Sequence, residues 1–394
     1  MRTRFLSWLA AIATALPVVL LGVTATPAQA APSLLPLTVT NNSGRADQVH
    51  LYVLGVYNGR LGHVNAAGAF TPWSGGGNPP VPAPDVSIPG PAQGASRTVN
   101  IPINLAGGRL YMSFGQKLKF FLTPDGLVQP APWNPSDPNR DILFDWSEFT
   151  YNDGGLWLNS SQVDMFSVPH AVEVTAGTGQ VKKTGELVAN GRNRILDGLR
   201  NQGGDWGRLV HTRADGTRLR ALAPRLGIES GIFGANYFDS YTQSVWNTYR
   251  NTNLTVVPYE NTPANRFTGR TDASGVMHFT NTAGARVASF QQPSSKDIFG
   301  CDGRLAAPNN DIGAIARTLC AALHRSTLGY LHTQPTLNPA EFYTRSITDH
   351  YSRVIHANMV DGKAYGFAFD DVGHFESLVH DGNPRSARII LGPF

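Results

Sequence analysis

Glu148 and Asp164 lie sixteen positions apart in one strand-patterned stretch, D-W-S-E-F-T-Y-N-D-G-G-L-W-L-N-S-S-Q-V-D-M-F-S-V-P-H, which also carries Trp146, Tyr151 and Trp157. An acid pair among indole and phenol rings suits cleavage of a polysaccharide. One carboxyl protonates the leaving oxygen, the other activates water, and flat rings bind sugar faces. Phe144, Trp146, Phe149 and Phe166 are apolar neighbours of the kind that raise a carboxyl's pKa and keep it protonated. The same two acids also fit ordinary solvent-facing positions on two strands, so pattern alone leaves both readings open.

Geometry sets a condition. A tight turn at Asp153-Gly154 pairs residue 152 with 155 and places Glu148 opposite Asn159. Asp164 would then lie five residues further along, roughly 16 Å away and on the opposite face. Inverting glycosidases hold their carboxyls about 6.5–9.5 Å apart and retaining ones about 5–5.5 Å. The pair therefore requires Asn159-Ser160-Ser161-Gln162 to bulge or loop out of the ladder.

The elements around this segment are predominantly β. Residues 35–60 alternate in strand fashion, and strands are expected at Ser96–Asn104, Gly108–Phe121, Ile142–Thr150, Leu156–Leu158 and Val163–Val174. Ser74–Gly94 is Gly- and Pro-rich and reads as a linker or as a long loop within one domain. Helical spacing is expected in Lys183–Gln202, Asn236–Asn251 and Pro308–Ser326, with short strands at Leu254–Pro258, Val276–Thr280 and Val287–Gln291. Strands return at Tyr365–Val372 and Ala387–Leu391. The expected fold class is mainly β with an α+β insertion. A sandwich or barrel spans residues 31–176 and 355–394, and a mixed α/β domain spans 177–354.

The N-terminus reads as a secretory signal peptide: Arg2 and Arg4, an apolar run from Phe5 to Val23, then Ala28-Gln29-Ala30, with cleavage expected after Ala30. A secreted, extracellular, monomeric protein is expected, free of the membrane once residues 1–30 are removed. Cleavage lowers the formal charge from +4 to +2, and no Lys/Arg run appears, so nucleic acid is not an expected partner. Cys301 and Cys320, an even pair in an oxidising compartment, read as a disulfide and not as a metal site, since no His or Cys partners stand at ligand spacing.

Other chemistry finds little footing. His324-Arg325-Ser326 lacks a nucleophile elbow, and the histidines show no H-E-x-x-H spacing. No metal is expected. No cofactor is expected either, because two carboxyls and water suffice. Glu229 and Asp239 read as helix-terminal structural acids, and Tyr237, Tyr241 and Trp246 as a core stripe.

Segment 145–169, with W-S-E-F-T-Y-N and L-W-L-N-S-S-Q-V-D-M-F, closely resembles the glycoside hydrolase family 64 β-1,3-glucanases. The resemblance extends to F-D-S-Y (238–241), D-I-F-G-C-D-G (297–303), A-A-L-H-R-S-T-L (321–328) and Y-G-F-A-F-D-D-V (365–372). It implies a thaumatin-like β domain and a mixed α/β domain flanking a wide open groove. It also implies inverting cleavage of β-1,3-glucan polysaccharide (curdlan, laminarin, fungal wall glucan), with laminaripentaose as product. Glu148 would be the general acid and Asp164 the general base. Thr150, Asn152 and Trp157 would line sugar subsites, with Trp146 and Tyr151 as further aromatic contacts. Kinship with thaumatin-like proteins makes Asp370 and Asp371 either an acidic cleft wall or turn caps. The alternative function is a thaumatin-like glucan-binding or antifungal protein without catalysis.

Overall fold

The computed structural model describes residues 31–394. The expected signal peptide lies outside the described residues. Among them, no helix is long and apolar enough to cross a membrane.

Two sheets form a sandwich. The first runs Val181–Thr184, His170–Ala176, Pro384–Leu391, Leu34–Asn41 and Ser96–Pro102. The second runs Leu378–Asp381, Gly155–Ser160, Leu143–Asn152, Leu105–Phe114, Val49–Tyr57, Arg60–Val64 and Phe70–Pro72, with Ile88–Pro89 pairing alongside Val49–Tyr57. Period-2 alternation buries Leu35, Leu37 and Val39 from one sheet against Leu110, Met112, Phe149 and Tyr151 from the other. Both sheets take a strand from the C-terminus: Pro384–Leu391 runs parallel to Leu34–Asn41, and Leu378–Asp381 pairs with Gly155–Ser160.

The outer face of the second sheet is also apolar. Tyr52, Tyr111, Phe144 and Trp146 join a second core with helices Gly191–Asn201, Asp239–Asn251 and Asp311–His324. The middle region adds a five-stranded sheet, Arg286–Gln291, Val276–Thr280, Phe267–Thr271, Leu254–Val256 and Thr333–Gln334. Tyr241 and Trp246 are buried in this core, and half-buried Tyr237 packs against it. Cys301 and Cys320 form a disulfide, Cα–Cα 5.7 Å, joining the end of helix Ser295–Gly300 to helix Asp311–His324. Their sulfurs lie near His324, but oxidised sulfurs cannot serve as thiolate ligands.

Several expected elements differ. The helix expected from Lys183 starts at Gly191, because Val181–Thr184 pairs with His170–Ala176 as an edge strand. Val163–Val174 divides into Met165–Phe166 and His170–Ala176 around Pro169, which cannot donate to a ladder. Tyr365–Val372 is not a strand but a run of turns, with Asp370 N donating to Phe367 O and Val372 N to Phe369 O. Its alternating aromatics serve packing, for Phe367 is buried and stacked on the His324 ring at 4.0 Å.

Candidate active site

The hairpin Leu143–Asn152/Gly155–Ser160 has the register read from the sequence: Asn152 faces Gly155 and Glu148 faces Asn159. Gly155 sits at φ +109°, and a Cβ there would meet Asp381 O at 2.0 Å, so this position admits no side chain. On the other side of the strand, Glu148 faces Arg109. Its Oε1 lies 3.0 Å from Arg109 Nη2 and accepts the Trp146 indole N–H at 3.3 Å. The Arg109 guanidinium stacks over Trp146 at 5.1 Å and donates from Nη1 to Tyr111 Oη at 3.4 Å, while Tyr111 donates to Gln129 Oε1 at 2.6 Å.

The ladder does break between the two acids, two residues into the expected polar run. Asn159 and Ser160 remain paired, and regular pairing with the acid strand ends at Ser160. From there Ser161 bridges to Tyr365. Gln162, buried, fixes the bend. Its Nε2 donates to Ser160 O at 2.8 Å, its Oε1 accepts Tyr365 N at 3.0 Å, and its carbonyl accepts the Tyr351 hydroxyl at 2.6 Å. Asp164 is then anchored by its carbonyl, which accepts Ala223 N at 2.9 Å, just before Met165 pairs with Leu222.

The bend returns Asp164 to the electrostatic neighbourhood of Glu148. Burial raises the Asp164 carboxyl above its ordinary pKa; the Arg109 charge opposes the rise and the Glu148 charge adds to it. Arg225 and Glu229, on helix Pro224–Glu229, act more weakly with opposite signs. Arg109 thus pairs directly with one carboxyl and attracts the other.

The remaining expected residues separate by strand face. Thr150 and Trp157 face each other across the hairpin, on the same face as Glu148 and half-exposed; Trp157 stacks on His380 at 4.2 Å and 16°. Asn152 is half-buried and caps its own turn, accepting Gly154 N at 2.8 Å. Tyr151 is not a sugar contact. It points into the sandwich core, fully buried, with its hydroxyl on Pro32 O, because its parity is opposite to that of Glu148. Trp146 is on the right face but only 3% exposed, clamped by Tyr111, Phe144 and Arg109, so it holds the acid and offers no sugar platform. Asp370 is not a cleft wall. It is fully buried, pairs with Arg325 at 3.0 Å and His356 at 2.9 Å, and accepts Gly366 N. Asp371 is exposed on the following turn.

Three residues escaped the sequence reading. Arg109 carries no local motif and is found only by pairing strands. Asp145, buried, accepts the amides of Trp146, Ser167 and Val168 at 2.9 Å each, tying the acid strand to the segment just past Asp164. Burial pushes its pKa to about 7 against those bonds. Glu376 precedes Ser377, which bonds Ser160 through both backbone and hydroxyl. Its Oε2 is buried without a partner, and burial pushes its carboxyl to about 7. The Tyr365 phenol, itself raised by burial, feels Asp371, Glu376 and Glu148.

Residues 33–391 match the β-1,3-glucanase model of glycoside hydrolase family 64. The chain is 49% identical to glucan endo-1,3-β-glucosidases of Arthrobacter sp. (strain YCWD3) and of Cellulosimicrobium cellulans, over 98% of its own length and 70% of theirs. It is similar to the crystal structure of a laminaripentaose-producing β-1,3-glucanase in complex with laminaritetraose: 54% identity, TM-score 0.89, covering 92% of this chain and 99% of that one. A β-1,3-glucanase domain from Clostridium beijerinckii matches at 25% identity and TM-score 0.76, over 93% and 100% of the two chains. The chain belongs to the glycoside hydrolase family 64 β-1,3-glucanases.

Proposed function

We propose that this protein is an endo-β-1,3-glucanase that hydrolyses long β-1,3-glucans with inversion and releases short laminarioligosaccharides, chiefly laminaripentaose. The observation that carries the reading is that Asp164 lies within electrostatic reach of both Glu148 and the Arg109 guanidinium paired with it, beside a sheet face that also carries Thr150 and Trp157. The relatives' names support the substrate.

Glu148 protonates the departing glycosidic oxygen, and Asp164 takes a proton from the water that attacks the opposite face of the sugar. Their surroundings suit these roles. Arg109 at 3.0 Å and the Trp146 indole N–H at 3.3 Å hold the Glu148 carboxyl in a fixed orientation. Burial makes the Asp164 carboxylate a stronger base. Bond cleavage adds water across the linkage: the anomeric carbon gains the hydroxyl, the leaving sugar gains the proton from Glu148, the proton on Asp164 goes to solvent, and Glu148 takes one back from solvent.

In the same reading, residues 31–176 and 355–394 form a thaumatin-like domain and 177–354 the second wall of an open groove. The protein is exported by the N-terminal signal, cleaved after Ala30, and acts outside the cell as a monomer. Proton NMR of fresh laminarin digests tests the reading: α-anomer is expected first. First appearance of β-anomer contradicts inversion, and binding without hydrolysis contradicts catalysis. Chromatography of a curdlan digest tests the pentaose.

A further inference from the structure

We propose that Arg109 is the positioning residue of the acid pair, its guanidinium fixing the Glu148 carboxyl and its charge acting on both carboxyls at once. The proposal rests on the hydrolytic reading above.

Three contacts fix the guanidinium. Arg109 lies directly across the ladder from Glu148, with Leu54 as its neighbour on the far side. It packs on the Trp146 indole, whose N–H holds the same Glu148 oxygen. Its second terminal nitrogen donates to Tyr111, which is held by Gln129. A planar fork that stacks and donates in two directions suits arginine and not lysine, whose single ammonium can satisfy the ion pair but not the stack.

The charged surroundings are few. Facing Glu148 are Arg109, Asp164 and the phenols Tyr111 and Tyr365. Facing Asp164 are Arg109, Glu148, Arg225, Glu229 and the phenols Tyr111 and Tyr351. Among the described residues, Arg109 is the cation common to both sets. Arg225 belongs to the Asp164 side and is also engaged by Glu229 at 3.5 Å and Asp302 at 3.0 Å.

A distinctive pH signature follows. The base must be ionised, so Asp164 sets the acidic limb of the kcat/KM profile. Loss of the Arg109 charge raises the proton affinity of Asp164 and moves that limb alkaline by about one pH unit. Loss of Arg225 moves the same limb less and leaves the contacts of Glu148 intact.

The test is the pH profile of laminarin hydrolysis by wild type, Arg109→Met, Arg109→Lys and Arg225→Met, each checked for folding by circular dichroism. Arg109→Met is expected to shift the acidic limb upward and to lower kcat roughly 100-fold with little change in KM. Arg109→Lys is expected to keep that limb in place while lowering kcat roughly 10-fold, because the charge survives and the fork does not. Arg225→Met is expected to shift the limb less and to keep kcat near wild type. Should Arg109→Met fail to fold, Arg109→Gln, which keeps an amide donor for Glu148, is expected to give the same shift of the limb. An unmoved acidic limb, or kcat near wild type, in the neutral variant overturns the proposal. A wild type inactive on laminarin sinks the hydrolytic reading itself, a separate and distinguishable result.

Discussion

Trp146 and Glu148 stand two residues apart on one strand face, and the indole N–H of the first donates to Oε1 of the second at 3.3 Å. The ring is buried between Tyr111 and Phe144, so its nitrogen is a fixed donor and not a mobile one. Trp146→Phe keeps most of the apolar packing and removes that donor. The expected outcome is a roughly 10-fold fall in kcat at nearly constant KM, because a misplaced carboxyl harms the transition state more than ground-state binding. Steady-state kinetics on laminarin decide it; a rise in KM at constant kcat would show that Trp146 binds sugar after all.

Asp370 supports stability and not catalysis. The charges of His356 and Arg325 hold its carboxyl below the ordinary range in spite of burial, and Asp370 in turn raises His356 against its own burial. Asp370→Asn leaves Arg325 buried without its carboxylate and is expected to cost about 3–5 kcal/mol. The sign of the pH dependence follows from linkage. The Asp370 contribution is complete above its ordinary pKa and lost as pH falls through the depressed one. The His356 share is complete below 6.5 and lost as pH rises through the raised value. Urea titrations should therefore show the widest gap between wild type and variant near about pH 5.5. The gap closes on acidification and closes in part on the alkaline side, where Arg325 still pairs.

Glu376 works in the opposite direction. Its carboxyl rises from 4.5 to about 7 in the folded chain, so the folded state binds more protons between those values and stability declines as pH rises through that window. Glu376→Gln cannot lose a proton and escapes the decline. The variant is expected to gain melting temperature relative to wild type between about pH 4.5 and pH 7.5. A constant offset across that range would contradict the buried position of its Oε2.

Much of the hairpin was legible in the chain. Asp153-Gly154 fixed the turn, and period-2 counting then placed Glu148 opposite Asn159. The same counting, applied to Tyr151, puts it an odd number of residues from Glu148 and hence in the sandwich core, so composition misled where parity would have served. The bend was expected within residues 159–162 and falls in the second half of that run, at Ser161 and Gln162. What holds it are Tyr351 and Tyr365, roughly 190–200 residues away in sequence, bonded to Gln162. Arg109 and Asp145 were hidden for the same reason, since only strand pairing and tertiary contact give them partners. The run Tyr365–Val372 alternates like a strand because turns packed on a core also alternate, and Asp370, read as a possible cleft acid, turned inward to a buried histidine and arginine.

The most direct measurement is the rate of curdlan hydrolysis by Glu148→Gln and Asp164→Asn, alongside their binding to the insoluble glucan. Each variant keeps the shape of the side chain and removes its proton chemistry. Both are expected to lose roughly 1,000-fold or more in kcat while still sedimenting with the polymer. Hydrolysis near the wild-type rate by either variant would contradict the assignment of this pair as acid and base.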